Sequence, residues 1–181
     1  DARGGTIVLF MGRQKFVQAA MKWSRESFLT AVTPAGKQAA MYATKENVLN
    51  MSAPVLDDAA WDTFDRRWEV GSDCYVYACK LYDNYEITVF DKTGKVEKVI
   101  TREYKHLPRT AREKDVMTKA MAFYSKQIPN CKTSINDMAK DISFFSVRDD
   151  GAIWVMSSGG DRNPVKGTLG TYDVFNPEGH F

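Results

Sequence analysis

The chain has 181 residues, of which 44% are apolar, 27% charged and 12% aromatic. This composition can bury a hydrophobic core, which excludes a disordered tail. Lys and Arg number 25 against 23 Asp and Glu, giving a formal net charge of +2, whereas a dedicated nucleic-acid binder must neutralise many phosphates. No window approaches the roughly 18 to 20 consecutive apolar residues of a membrane helix, so no transmembrane segment is predicted.

The first residue is Asp1, and no basic and apolar leader follows it. We therefore expect a processed or excised product of a longer precursor. The three cysteines are Cys74, Cys79 and Cys131, with no CxxC pair, so neither a disulfide framework nor a zinc site is predicted. Cys74 and Cys79 should face opposite sides of one strand, and buried, unpaired thiols are expected.

Three segments each combine an apolar strand with a turn around a glycine. The turns contain Gly36, Gly94 and Gly179, and each follows a strand rich in β-branched and aromatic residues. Pro34 and Pro177 fix a turn dihedral, and Asp or Asn side chains can hydrogen-bond their own backbone in such turns. Each segment therefore predicts half of a β-hairpin.

Another strand precedes each of these strands, beginning near Gly5, Asp73 and Gly151. These inner strands are apolar on both faces, which is typical of strands covered on both sides. Residues 67–73 and 142–151 predict a further strand with its tight turn. The repeating unit is a four-stranded antiparallel meander. The units cover residues 5–45, 66–101 and 141–181.

A meander repeated with irregular insertions is typical of a β-propeller, in which each sheet buries its faces against the next. The segments from Tyr75 to Lys95 and from Asp149 to Gly179 contain D-x-G-x-x-[aromatic]-V or V-F-[DN]-x-x-G. They resemble the six-bladed β-propeller repeats of exported bacterial proteins, similar to NHL and TolB-type blades. The first unit lacks an Asp before its glycine turn and departs most from this pattern.

The resemblance implies a mainly β fold, a partial β-propeller with one inserted amphipathic helix, in a single domain over residues 1–181. Propellers carry typically 4 to 8 blades, so three units cannot close a ring. The last unit also stops at Phe181, short of its outer strand. Either the chain is a fragment of a longer propeller, which we favour, or the missing blades come from elsewhere.

One helix is predicted between the second and third units, within residues 110–128. Thr110 and Glu113 have the spacing of a capping box, and Pro129 follows the helix. The helix carries an apolar stripe. Its members are Val116, Met117, Ala120, Met121 and Tyr124. The stripe packs over the side or mouth of the propeller, or its methionines and tyrosine dock on a partner.

Basic residues outnumber acidic ones just before this helix, and a second basic cluster comprises Arg13, Lys15, Lys22 and Arg25. Such runs are either solvated faces or contacts with an acidic protein surface or anionic lipid headgroups. We take seven residues as candidate partner-binding residues. They are Arg102, Lys105, Arg109, Arg112, Met117, Met121 and Tyr124.

Catalytic signatures are absent from the sequence: there is no GxGxxG, Walker A, HExxH, GxSxG or EF-hand loop. His106 and His180 each stand alone, which favours a surface role. The acidic pair Asp57 and Asp58 fits a helix start, and the acidic pair Asp149 and Asp150 fits a hairpin turn, better than either fits a metal site. Residues 159–161 are expected to form a flexible loop. No catalytic, cofactor-binding or metal-binding residue is predicted.

The favoured hypothesis for function is a non-enzymatic interaction or scaffold module, part of an exported propeller that serves as an accessory subunit of a larger, membrane-bound complex. The alternatives are a propeller hydrolase or lactonase with an axial divalent cation, and a small-ligand sensor. The resemblance also implies a periplasmic or lipoprotein-anchored location. Three cysteines neither support nor exclude an oxidising compartment.

Overall fold

The computed structural model describes residues 5–162 and 166–181. The fold is mainly β, with 43% strand and 16% helix, and its larger sheets are antiparallel. This confirms the mainly β class predicted from the sequence. Within the described residues the sheets close into neither a barrel nor a propeller. No helix in these ranges is long and apolar enough to cross a membrane.

The first sheet is a three-stranded meander of β1 (Ile7–Val17), β2 (Lys22–Val32) and β3 (Gln38–Asn50). Its first two strands form one long hairpin, closed by a turn of 3₁₀ helix, where the sequence predicted short strands joined by a loop. Arg13 explains part of this extension, because it forms an ion pair with Glu26 across the strands and lies 5.7 Å from the ring centre of Phe28.

Next along the chain, β4 (Val55–Asp57) leads into the short helix α1 (Asp58–Trp61). The Asp57 carboxylate accepts a hydrogen bond of 2.9 Å from the Ala60 N–H and caps the helix. This confirms the predicted helix start at residues 57–58, where an Asp satisfies a free N–H group of the first turn.

The second sheet is a four-stranded meander of β5 (Trp68–Val70), β6 (Val76–Ala78), β7 (Glu86–Phe90) and β8 (Val96–Thr101). Its order and topology are those predicted for the second unit. The turn before β8 also has the predicted chemistry, since the Asp91 carboxylate accepts from the Thr93 N–H and the Lys95 N–H. The Asp91 carboxylate also accepts from the Thr93 hydroxyl. These three hydrogen bonds lower the pKa of Asp91, and the bond from the Thr93 hydroxyl has the largest effect.

The helix α2 (Ala111–Ser125) and the strand β9 (Lys132–Ser134) follow, and β9 pairs in parallel with β4. The third sheet then contains β10 (Ile142–Val147), β11 (Ile153–Ser157) and β12 (Asp173–Phe175). Within the described residues this sheet has three strands. Residues 149–150 lie in the predicted hairpin turn, which Gly151 closes at a φ of 83°.

A third helix, α3 (Ser158–Arg162), occupies the position where a flexible loop was expected, so that expectation was wrong. The Ser157 hydroxyl accepts from the Gly160 N–H at 3.2 Å and fixes the first turn. Gly160 also packs closely against the backbone: a Cβ there would lie 2.1 Å from the Thr171 carbonyl oxygen. These glycines therefore permit tight packing rather than flexibility.

The three antiparallel sheets pack face to face in chain order. Val76 and Ala78 of β6 join the cluster that contains Leu29 and Ala31 of the first sheet. On the opposite face, Tyr77 joins a cluster with strands of the third sheet. The second sheet is therefore covered on both faces, as predicted for all three inner strands. Among the described residues, the first and third sheets each pack against a neighbouring sheet through one face only.

The cysteines have different environments, and all three are free thiols. Cys79 is buried at the end of β6, and burial raises its pKa to about 11. Cys74 was expected on the same strand, but it lies exposed in the preceding turn with a φ of 66°. The prediction of a buried thiol is therefore right for Cys79 and wrong for Cys74. Cys131 is partly buried.

Candidate functional site

The capping box predicted for α2 is present. The Thr110 hydroxyl accepts from the Glu113 N–H at 3.3 Å, and the Glu113 carboxylate accepts from the Thr110 N–H at 2.6 Å. The helix ends at Ser125, within the predicted range of residues 110–128. The sequence therefore placed this inserted helix correctly, including the residue that starts it.

The apolar residues of α2 lie on two faces rather than in one stripe. Met117 and Met121 point inward and pack with Leu49 and Leu56 of the neighbouring strands. On the other side, Val116 is 58% exposed and Phe123 is 64% exposed. The helix therefore anchors itself by its methionines and leaves a second apolar face uncovered.

A cavity of about 1110 Å³ lies between α2, the hairpin of β1 and β2, and the segment that follows α1. Trp23 and Trp61 stack on its wall, with ring centres 5.1 Å apart and an angle of 13° between the planes. The apolar side of the cavity is mainly aromatic and methionine-rich. It includes Phe16, Trp23, Trp61, Met117, Met121 and Tyr124. The predicted helix therefore contributes Met117, Met121 and Tyr124 to one wall of this cavity.

A buried ion pair forms part of the polar wall of the cavity. The Arg109 side chain, 6% exposed, pairs with the Asp58 carboxylate, which is 1% exposed. The Asp58 carboxylate also accepts from the Asn136 N–H at 2.6 Å, and Arg109 contacts the Tyr82 hydroxyl. Burial raises the pKa of Tyr82 to about 12, against the opposing effect of the Arg109 charge. These contacts join the start of α1, the segment before α2, the segment after β9 and the loop between β6 and β7.

A second buried cation lies deeper in the same wall. The Arg67 guanidinium pairs with the Asp62 carboxylate and donates to the Leu81 carbonyl at 2.8 Å. Lys140 approaches the other oxygen of Asp62 at 3.6 Å. Since each charge has a partner, these groups stabilise the wall and are not available to a ligand.

Of the seven candidate partner-binding residues, four line the cavity together. They are Arg109, Met117, Met121 and Tyr124. Arg109 and Met121 are both engaged inside the protein, whereas Tyr124 is 58% exposed. Lys105 and Arg112 are exposed and lie outside this cavity.

The remaining candidate, Arg102, is held in an aromatic cage. Its guanidinium lies 5.0 Å from the ring centre of Tyr85 and 5.1 Å from that of Phe181. It also pairs with the Asp173 carboxylate at 2.9 Å, which in turn accepts from the Tyr85 hydroxyl at 2.7 Å. Burial and this hydrogen bond raise the pKa of Tyr85. Arg102 therefore links the end of the second sheet to the C-terminal segment.

Sequence reasoning did not select the aromatic side chains that the hairpin and α1 bring to the cavity. Phe16 pairs with Trp23 across β1 and β2, and Trp61 ends α1. The sequence also suggested that Arg25 belongs to a single basic cluster with Arg13, Lys15 and Lys22. Alternation along β2 separates Arg25, which lines the cavity beside Trp23, from Lys22 on the opposite face. Recognising the hairpin turn would have shown this division.

His106 was predicted to stand alone, and in the structure it has a partner. Its Nδ1 atom lies 2.9 Å from Oδ1 of the buried Asp141. Burial raises the pKa of Asp141, although the contact with His106 opposes this shift. The His106 side chain is about half exposed, in line with the expected surface position. His180 follows a turn, where its N–H donates to the Asn176 side chain at 2.8 Å.

The described residues contain no preformed cluster of metal-ligating side chains. Among residues 5–162 and 166–181, no group of three or more His, Cys, Asp or Glu side chains lies close enough to hold an ion. The two acidic pairs flagged in the sequence serve the helix start and the hairpin turn instead.

No protein-family model matches the chain, and no curated protein matches it. The resemblance to β-propeller repeats therefore stays a prediction from sequence motifs.

Proposed function

We propose that this chain is part of a β-propeller that works as a non-enzymatic protein-interaction module, an accessory subunit of a larger assembly. The face-to-face packing of three meanders in chain order supports the propeller arrangement, because blades bury their faces against their neighbours. The second sheet also supports the proposal, because it has the four strands and the two covered faces expected of a complete internal blade.

The two end faces of the stack support the same arrangement. On the first sheet, Ile7, Leu9 and Met11 alternate with the buried side of β1 and are exposed. On the third sheet, Trp154 and Val174 pair across β11 and β12 and are also exposed. Contiguous apolar faces of this kind need a covering surface in water. A further sheet at each end would cover them.

The observation that carries the interaction role is the outward apolar face of α2. Val116 and Phe123 are seven residues apart, which places them on one side of the helix, and Tyr124 packs edge-on against Phe123 at 5.6 Å. All three are more than half exposed. Exposed aromatic and aliphatic side chains on a helix anchored from behind are typical of docking surfaces.

The charge around this face favours an acidic partner. Glu113, Lys114 and Lys119 are neutralised by Arg162, Asp137 and Asp115 respectively. Arg112 and Lys126 form no ion pair with a described residue. The partner surface is therefore expected to offer an apolar pocket bordered by carboxylates. An extracytoplasmic location is part of the proposal and rests on the sequence resemblance alone.

Photocrosslinking tests this function without deleting the helix, whose methionines belong to the core. A benzophenone amino acid is placed at Phe123 and, as a matched exposed control, at Leu169, which is 97% exposed. The protein is incubated with envelope extract of the source cells. We expect one discrete protein adduct from position 123, absent from position 169 and reduced by the Arg112→Glu/Lys126→Glu double substitution. Equal labelling from both positions, or none from 123, would refute the proposal.

A further inference from the structure

The cavity beside α2 offers an aromatic wall that is not completely filled by the protein. Trp23 and Trp61 stack on each other there, and Phe16 and Tyr124 are more than half exposed at its margin. Met117 belongs to the same wall and supplies an adaptable, polarizable side chain. Concave sites of this type bind small molecules that carry an apolar, planar body.

Two cations of this wall have no partner among the described residues, the exposed Arg66 and the partly buried Arg25, and Arg25 is the one beside the tryptophans. It is partly buried and lines the cavity, two residues from Trp23 on the same face of β2. Arg67 and Arg109 are paired with carboxylates, whereas Arg25 forms no hydrogen bond or ion pair with a described residue. A partly buried guanidinium next to an apolar surface is suited to a carboxylate, which it can bind with two hydrogen bonds.

Two further polar groups without partners lie next to Arg25. Asn47 is directly opposite Arg25 in the register of β2 and β3, and Ser27 is two residues along β2 on the same face. Asn47 is 7% exposed and Ser27 is 1% exposed, and neither the Asn47 Nδ2 atom nor the Ser27 hydroxyl has a hydrogen-bond partner. Opposite residues on paired strands have Cβ atoms about 5 Å apart. Neither Asn47 nor Ser27 lines the cavity, so Arg25 is the group of this cluster that a ligand in the cavity can reach.

We propose that this cavity binds a small aromatic carboxylate, with its carboxylate held by Arg25 and its ring packed against the Trp23 and Trp61 pair. The site shares Tyr124 with the outward face of α2, but Arg25, Trp23 and Trp61 lie on other elements, so ligand binding does not depend on the proposed docking of a partner protein. Binding involves no covalent step. The carboxylate supplies the acceptors that the Arg25 guanidinium lacks, and the ring covers the exposed aromatic wall.

Isothermal titration calorimetry with 2-naphthoate as the probe tests this site, and 2-naphthamide serves as the uncharged probe of the same shape. We expect saturable 1:1 binding of 2-naphthoate and at least tenfold weaker binding of the amide. Arg25→Gln should weaken 2-naphthoate binding about 10- to 100-fold, as for the loss of a charged hydrogen bond. Arg25→Lys keeps the charge but not the geometry for two parallel hydrogen bonds, so its affinity for 2-naphthoate should lie between those of the unmodified protein and Arg25→Gln.

The matched control is Lys22→Gln, on the same strand but the opposite face, which should bind 2-naphthoate as the unmodified protein does. Asn47→Asp adds a negative charge opposite Arg25 and should abolish binding; thermal unfolding establishes that this variant is folded. The proposal is overturned if 2-naphthoate does not bind, or if the amide binds equally well. Equal losses in Arg25→Gln and Lys22→Gln would also overturn it, since they would indicate nonspecific charge attraction.

Discussion

The buried pair of Asp58 and Arg109 allows a quantitative test of how the cavity wall is held together. Both side chains are almost fully buried, and the Asp58 carboxylate also accepts from the Asn136 N–H. Asp58→Asn keeps an oxygen for that N–H but leaves the Arg109 charge without its counterion. Arg109→Met leaves the Asp58 charge in the same situation. Each single change should cost about 3 to 5 kcal/mol of unfolding free energy, because an isolated charge then remains buried.

The double variant Asp58→Asn/Arg109→Met removes both charges together. It loses the hydrogen bonds of Arg109 to Tyr82 and to the Asn136 carbonyl, but no unpaired charge remains. Its cost should therefore be no greater than that of either single variant, which corresponds to a coupling energy of about 3 kcal/mol or more. A domain of this size has a total stability of about 5 to 15 kcal/mol, so the single variants should lose a large part of it.

Urea unfolding followed by tryptophan fluorescence measures these differences, since Trp23 and Trp61 lie in the same cavity wall. With a urea slope of about 1 to 3 kcal/mol per molar, each single change should lower the midpoint by about 1 to 5 M with the slope unchanged. The exposed pair of Lys114 and Asp137 is the control, and Asp137→Asn should leave the midpoint unchanged. A double variant whose cost equals the sum of the singles would refute the reasoning.

Three further predictions concern other parts of the molecule. Thr110→Ala removes the N-cap of α2 and should cost about 1 kcal/mol of unfolding free energy, measured by urea unfolding; an unchanged midpoint would contradict the role of the capping box. Cys74 should react with iodoacetamide at pH 8, whereas Cys79, buried and with its pKa raised to about 11, should stay unmodified by mass spectrometry until the protein unfolds; equal labelling rates would contradict this. The pKa of Asp141 is raised, so the native state keeps the Asp141 proton to higher pH than the unfolded state does. The protonated carboxyl therefore contributes stability below the ordinary carboxyl pKa near 3.8, and this contribution is lost as pH rises through the raised pKa. Asp141→Asn removes that loss, so its stability relative to the unmodified protein should increase with pH over this range in urea unfolding; a difference independent of pH would contradict the assignment.

Features that depend on near neighbours in the chain were predictable from the sequence. The turn that begins at Asp91, the hairpin that Gly151 closes and the capping box of Thr110 and Glu113 all involve residues within a few positions of each other. Their geometry follows from local hydrogen bonds and backbone freedom. For the same reason the four-stranded second sheet, built from sequential hairpins, has the predicted topology.

The candidate site depended on which faces of distant segments meet. Trp23 stacks on Trp61, and Arg109 pairs with Asp58, although each pair is separated by more than 35 residues. Alternation along β2 turned Arg25 toward the cavity, whereas the sequence grouped it with basic residues of the other face. Charge and hydrophobicity along the chain identify the side chains that need partners. Only the packing of the sheets and helices decides which partner each obtains, because contacts between distant segments leave no fixed spacing in the sequence.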